Sequence, residues 1–180
     1  SGYFWKYDPV IFNSNSKNTN SPNVIELFSG CGGTSKGFEM ADYNIALGTD
    51  IHKPSFDTFK LNHPNSNVIL SDIKKLNPNI IKDIIGEKKV DVMIAGVPCQ
   101  GFSHNNRKKN INDERNKLYL EFAKFVKVLK PKVIVLENVT GMATTGTFRK
   151  DIESHLSFVS GTRVSSSFLY APDFGVPQIR

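Results

Sequence analysis

Cys99 and Glu137 are the two residues of this chain whose settings suit catalysis. Cys99 follows a short apolar run, Val90 to Ala95, that stops at Gly96-Val97-Pro98. The run reads as a strand buried on both faces. Pro98 fixes its own φ and has no amide hydrogen, so the cysteine is expected on a stiff turn at the strand's carboxyl end, where open α/β sheets keep their sites. Taken alone, a free cysteine is more often a small buried hydrophobe. Here Gln100, Gly101, Phe102 and Ser103 follow, and then the polar, basic run from His104 to Asn110, which is unsuited to a core. Nearby cations favour the reactive thiolate, and Cys99 is therefore a candidate covalent catalyst. Glu137 ends a second apolar run, Lys132 to Leu136. Two adjacent parallel strands would bring both residues to one edge, where a carboxyl can act as proton donor. In isolation, a helix cap or a salt bridge is the commoner use of such a glutamate.

The elements that must position these residues can be read in order. Asn23–Phe28 is predicted to be a strand, Ser29 to Ser35 a glycine turn, and the stretch to about Ala41 a helix. Strand, glycine turn and helix form a nucleotide-site pattern, because glycines allow close backbone approach and the helix offers free amides at its start. A tight turn with no ligand explains the glycines equally well. Asn44–Thr49 is a second predicted strand, ending in Asp50 about twenty residues beyond the glycines. An acid there can accept from ribose hydroxyls, or can cap the helix starting near Pro54 with Ile51 in the core. Asn67–Leu70 is a third strand, closed by Ser71-Asp72-Ile73. These polar tips should form one rim.

Gly101 to Asn112 reads as a long polar loop, of the size that is usually functional or disordered. Asp113–Lys130 is predicted helical, with Leu118, Phe122, Phe125, Val126 and Leu129 forming a core-facing stripe. Thr147 to Phe158 reads as helix, Arg163–Tyr170 as strand and Asp173–Arg180 as loop. Residues 1–22 read as a poorly ordered lead, opening on Ser1-Gly2 as an expression scar and closing on a Ser/Asn-rich segment.

The 180 residues suit one domain with a substantial core. A net charge of +6 and a pI near 9.3 suggest a polyanionic partner. The lysines and arginines are spread widely, so many belong to ordinary solvated surface. Two cysteines, no secretory signal and no span of about twenty apolar residues point to an intracellular protein, cytoplasmic if bacterial. His52, His63, His104 and His155 show no ligand spacing, so no metal is expected and all four are expected on the surface or in loops.

With these pieces in this order, the chain resembles the cytosine-5 DNA methyltransferases that use S-adenosylmethionine. Phe28-Ser29-Gly30-Cys31-Gly32-Gly33 is similar to their cofactor glycine motif, Gly96 to Ser103 to their nucleophile motif and Glu137-Asn138-Val139 to their acid motif. Gln178-Ile179-Arg180 resembles the start of their Gln-x-Arg-x-Arg motif. The resemblance covers about Asn23 to Arg180. It implies a Rossmann-like α/β fold, with a mostly parallel sheet, helices on both faces and an incomplete C-terminal end.

Residue by residue, the resemblance implies Cys99, Glu137 and Arg180 as catalytic. It places Phe28, Gly30, Cys31, Gly32 and Gly33 beside the cofactor, Asp50 on its ribose, Ile51, Asp72 and Ile73 around its adenine, and Pro98 and Leu118 near its methionine end. Many relatives have Glu at the Asp50 position, and some have an aromatic ring at that of Ile51. Ser103, Asn105 and Arg115 become candidates for nucleic-acid contact, with Arg107, Lys108 and Lys109 attracting phosphates. The implied substrate is double-stranded DNA. In the family, a second arginine, a further strand, a target-recognition domain and a late motif follow the position of Arg180, so the chain is expected to be either the catalytic half of a split enzyme, with a second chain carrying target recognition, or a fragment.

Enzymes of the same chemistry acting on tRNA are the closest rival, and Val97 before Pro98 leans toward DNA. A catalytically silent homologue should have lost Cys99 or Glu137. A nicotinamide-binding enzyme would leave the Pro-Cys and Glu-Asn-Val motifs unexplained.

Overall fold

The computed structural model describes residues 9–12, 20–98, 118–138 and 148–178. Cys99, Ser103, Asn105, Arg107, Lys108, Lys109, Arg115, Val139 and Arg180, together with the expected loop 101–112, lie outside the described residues.

Six strands form one sheet: β1 (Val10–Phe12), β2 (Asn23–Leu27), β3 (Asn44–Asp50), β4 (Asn67–Leu70), β5 (Val92–Gly96) and β6 (Val133–Glu137), in the spatial order β1-β4-β3-β2-β5-β6. Strands β2 to β6 run parallel, and β1 pairs antiparallel with β4. The chain builds outward from β2 through β3 to β4, then returns to the other side of β2 for β5 and β6. That reversal between β2 and β5 opens a crevice at the carboxyl ends of the strands, where ligands of such sheets bind.

Helices cover both faces. On one face α1 (Gly33–Met40) and α2 (Lys53–Asn62) pack Phe38, Phe56 and Phe59 against Val24, Ile45, Val68, Val92 and Ile94. On the other, α3 (Pro78–Ile85), α4 (Leu118–Leu129) and α5 (Phe148–Ser160) pack Ile81, Phe122, Phe125, Ile152 and Leu156 against Ile25, Leu27, Leu47, Ile69 and Met93. Alternate residues of each strand therefore serve alternate cores, which is why β2, β3 and β5 read as continuous apolar runs. A register shift between Val24 and Ile25 makes β3 one residue longer than its partner at that point. At Gly48 an added methyl would lie 2.8 Å from Phe59 Cε1, so this ring requires glycine beneath it.

Four sequence expectations change. Val10–Phe12, inside the lead expected to be poorly ordered, forms an edge strand against β4. Arg163–Tyr170 is not a strand: no described strand lies beside it to complete a ladder, and it is held instead by Val164 N donating to Ser157 Oγ (3.0 Å) and by Ser166 Oγ donating to Glu153 Oε1. Within the expected loop 173–180, Ala171–Phe174 starts with a short 3-10 turn. Helix α3 was not anticipated, although its signals are local: Asn77 accepts from Asn79 N at 3.0 Å, Pro78 opens the helix and Gly86 closes it at φ 62°.

Candidate active site

The glycine turn between β2 and α1 is set by an unusual backbone. Phe28, Gly30 and Gly32 have φ of 57°, 55° and 88°. A bulky residue in the left-handed region is strained and is held there only by strong surroundings. The phenyl ring of Phe28 packs against the α3–α4–α5 core while its backbone turns toward the rim. Gly32 is fixed by space as well as by φ, since an added methyl would lie 2.6 Å from His63 Cδ2 and 2.9 Å from Phe59 Cδ2. At Gly30 and Gly33 an added methyl meets nothing within 4 Å, so these two positions of the turn are open.

Side chains hold this turn from three directions. Asp50, at the end of β3, accepts from Gly30 N through Oδ2 and from His52 N through Oδ1, both at 2.8 Å. Glu26, inside β2 and 3% exposed, accepts from Ser35 N at 3.1 Å and from Ser35 Oγ. Helix α1 has no side-chain cap of its own, so this buried carboxylate takes that role from the strand beneath. Burial raises the carboxyl's pKa, with the Ser35 hydrogen bonds opposing the shift. His63 Nε2 donates to Gly32 O at 3.0 Å, while its Nδ1 lies 3.8 Å from Glu39 Oε1. Of the two expectations for His63, surface or loop, the second holds: it follows the end of α2 and is 1% exposed. The ring fills the space that a side chain at Gly32 would need.

Around the same rim, Asp72 Oδ1 accepts from Lys74 N at 3.0 Å, Ile73 is buried in the core, and Ile51 is 66% exposed. The reading of Ile51 as core is therefore overturned, and Asp50 serves the glycine turn rather than the first turn of α2, whose N-cap is His52. Cys31 is a free, exposed thiol, and its carbonyl accepts from Asn62 Nδ2 at 2.8 Å.

Across the crevice, Gly96 and Glu137 are register partners at the ends of β5 and β6. A methyl group on Gly96 would sit 3.6 Å from Glu137 Oε2, so the carboxylate stands beside the strand tip three residues before Cys99. Asn138 Nδ2 donates to Val97 O at 3.4 Å and ties the two tips together. Val97 is buried and Pro98 exposed, which turns the chain outward at that point. Leu118, half-buried at the start of the described part of α4, packs against the same core as Phe28 and Val97.

The structure thus brings the glycine turn, Asp50, Asp72, Pro98 and Glu137 to one rim of a parallel sheet. The sequence reading missed Glu26, His63 and the bond from Asn138. An acid inside the otherwise apolar Asn23–Leu27 run was a visible signal for the first; nothing local marked the other two.

A family model described as C-5 cytosine-specific DNA methylase matches residues 22–180. The chain belongs to this family. It is 41% identical over 162 residues to the Type II methyltransferase M.DdeI of Desulfomicrobium norvegicum, covering 88% of this chain and 38% of that protein. With the Type II methyltransferase M1.HphI of Haemophilus parahaemolyticus it shares 39% over 164 residues, covering 89% and 44%. The chain therefore spans about two fifths of the length of these Type II methyltransferase relatives. Among solved structures, a DNA modification methyltransferase encoded within a prophage (E. coli) superposes with a TM-score of 0.66 at 33% identity, covering 78% of this chain and 38% of that one. The S. pombe Dnmt2 methyltransferase shares the Rossmann-like fold, with a TM-score of 0.68 at 22% identity over 88% of this chain and 48% of that one. Among the described residues, no helix is long and apolar enough to cross a membrane, and no group of three or more His, Cys, Asp or Glu side chains could hold a metal ion.

Proposed function

We propose that this chain is the catalytic part of a DNA (cytosine-5)-methyltransferase using S-adenosylmethionine, with Cys99 as nucleophile and Glu137 as acid. The observation that carries the reading is the Glu137 carboxylate beside Gly96, at the crevice that the glycine turn also borders. The turn suits the cofactor because Gly30 and Gly33 leave room for close approach and α1 begins there. Each Asp50 oxygen accepts one amide, and a carboxylate has further lone pairs for ribose hydroxyls. Phe28, Cys31, Gly32, Ile51, Asp72, Ile73, Pro98 and Leu118 complete the proposed cofactor set. Bound S-adenosylmethionine supplies an electrophilic methyl group on a sulfonium.

Carbon 5 of cytosine is too weak a nucleophile to take that methyl unaided. The Cys99 thiolate forms a bond to carbon 6, and the π pair moves to carbon 5. Glu137 engages nitrogen 3 and the exocyclic amine and offsets the charge created there. Carbon 5 then takes the methyl as the methyl–sulfur bond breaks and S-adenosylhomocysteine is released, a base removes the proton on carbon 5, and the bond between carbon 6 and Sγ breaks to return the thiolate and the aromatic ring. Reaching these atoms requires the base to leave the duplex stack, at a cost of a few kcal/mol. Ser103, Asn105 and Arg115 are assigned to nucleic-acid contacts and Arg180 to the catalytic surroundings. Target recognition is assigned to polypeptide outside these 180 residues, in the same or a second chain.

The test is methyl transfer by the protein as purified with its copurifying polypeptides, using duplex DNA and tRNA in parallel. A duplex carrying 5-fluorocytosine should be methylated and then remain attached to Cys99, because fluorine cannot leave as a cation. Cys99→Ser should lower turnover about a thousandfold or more. An adduct on another residue, or label entering tRNA alone, would overturn the reading.

A further inference from the structure

At the amino-terminal ends of β5 and β6, on the rim opposite Glu137, lies a cleft of about 370 Å³. Its floor is apolar, made by Ile85, Val90 and Leu129, and five lysines line it: Lys82, Lys88, Lys89, Lys130 and Lys132. No carboxylate lines it. Asp91, beside the cleft, is engaged by Lys132 at 2.6 Å, and its pKa is lowered chiefly by that bond. Lysines at helix ends such as Lys82 and Lys130 complement the dipoles of α3 and α4. The same dipoles decide what the floor can take. Two helices finish at this cleft, at Ile85 and Leu129. Helix C-termini present carbonyl acceptors and repel anions, so a compact phosphate would find no amide donors there. A ligand that fits carries N–H donors and an apolar group for the floor, and anionic groups for the lysines at the mouth. A polypeptide has all three, whereas a DNA backbone supplies only acceptors.

We propose that this basic cleft docks an extended acidic segment of a partner protein, with carboxylates on the lysines and one aliphatic side chain on the floor. The partner is another protein rather than a second copy of this chain, whose 17 acidic residues form no acidic run. Val90 on the cleft and Gly96 at the catalytic rim are six residues apart along an extended segment, so the cleft lies roughly 20 Å from that rim. A docked partner and a substrate at the crevice can therefore be held together. This inference does not depend on the proposed reaction.

The test measures fluorescence anisotropy of a labelled peptide of alternating Glu and Leu with the purified protein. Saturable binding is expected, weakened by added salt and reduced about tenfold in the Lys82→Glu/Lys89→Glu double variant. Circular dichroism and S-adenosylhomocysteine binding should be unchanged in that variant, which separates a lost site from a lost fold. A poly-Glu peptide without leucine should bind several-fold more weakly. Absence of saturable binding, an affinity that charge reversal leaves intact, or equal affinity for poly-Glu would each overturn the proposal. Displacement of the peptide by duplex DNA, with DNA affinity falling in the same variant, would assign the cleft to nucleic acid instead.

Discussion

On the β2–β4 side of the crevice, side chains reach backbone at each step of the glycine turn: Asp50 to Gly30 and His52, Glu26 to Ser35, and His63 to Gly32. On the β5–β6 side, among the described residues, Asn138 Nδ2 donates to Val97 O at 3.4 Å. Burial follows the same division. β3 is buried along Ile45–Thr49, whereas β6 exposes Val133 (52%) and Val135 (37%) on one face. The side assigned to the cofactor is thus built in advance, and ordering it costs little on binding. On the side assigned to the reacting base, the described part of β6 leaves one face partly exposed.

Substitutions that strike each side can break or sharpen this contrast. The largest effect is expected at Gly32→Ala, where both φ and the His63 ring oppose a methyl; the cost should be about 3 kcal/mol in denaturant titrations. Gly33→Ala, in open space, should leave the midpoint nearly unchanged, and equal effects at the two glycines would remove the case for a prebuilt turn. Asp50→Ala frees two amides and should cost about 2 kcal/mol, with cofactor affinity falling by calorimetry. Asp50→Asn retains one acceptor and should lie between.

Glu26 adds a pH dependence. Burial raises its folded pKa above the unfolded value, so its contribution to stability is fully present below the unfolded pKa and is lost as pH rises through the folded one. Glu26→Gln keeps an oxygen for Ser35 without this titration, and its stability relative to the parent should increase from acid to neutral pH. Glu26→Ala should cost about 1–3 kcal/mol at acid pH by leaving the Ser35 amide unpaired, and the cost should shrink toward neutral pH as the parent loses the Glu26 contribution. A Gln variant with an unchanged pH profile would show that the buried carboxyl is not the titrating group. The smallest effect belongs to Asn138→Ala, about 1 kcal/mol or less in stability, with turnover reduced several-fold and cofactor affinity preserved. A loss of cofactor affinity there would mean that the two sides are coupled.

What could be read from the sequence follows the range of the interactions involved. The glycine turn, Asp50, and the strands ending at Gly96 and Glu137 were legible because hydrophobic runs and their punctuation are local signals. Helix α3 carried equally local signals in Asn77, Pro78 and Gly86 and went unread. Val10–Phe12 could not be read, since three residues make a strand only through β4, whose residues pair with them across about sixty positions of sequence. The burial of His63, expected on the surface or in a loop, is not legible locally because it depends on Gly32, which lies 31 residues earlier. Arg163–Tyr170 shows the reverse case, with strand-like composition but no ladder partner among the described residues.

The edges of the sheet differ in their capacity for growth. On the flank beyond β4, a three-residue antiparallel ribbon already occupies the hydrogen-bonding row and is itself too short to template much further addition. The opposite flank ends in a five-residue parallel strand with β5 as its described neighbour. Among the described residues, the β6 edge therefore offers the longer hydrogen-bonding row, and its last position is Glu137.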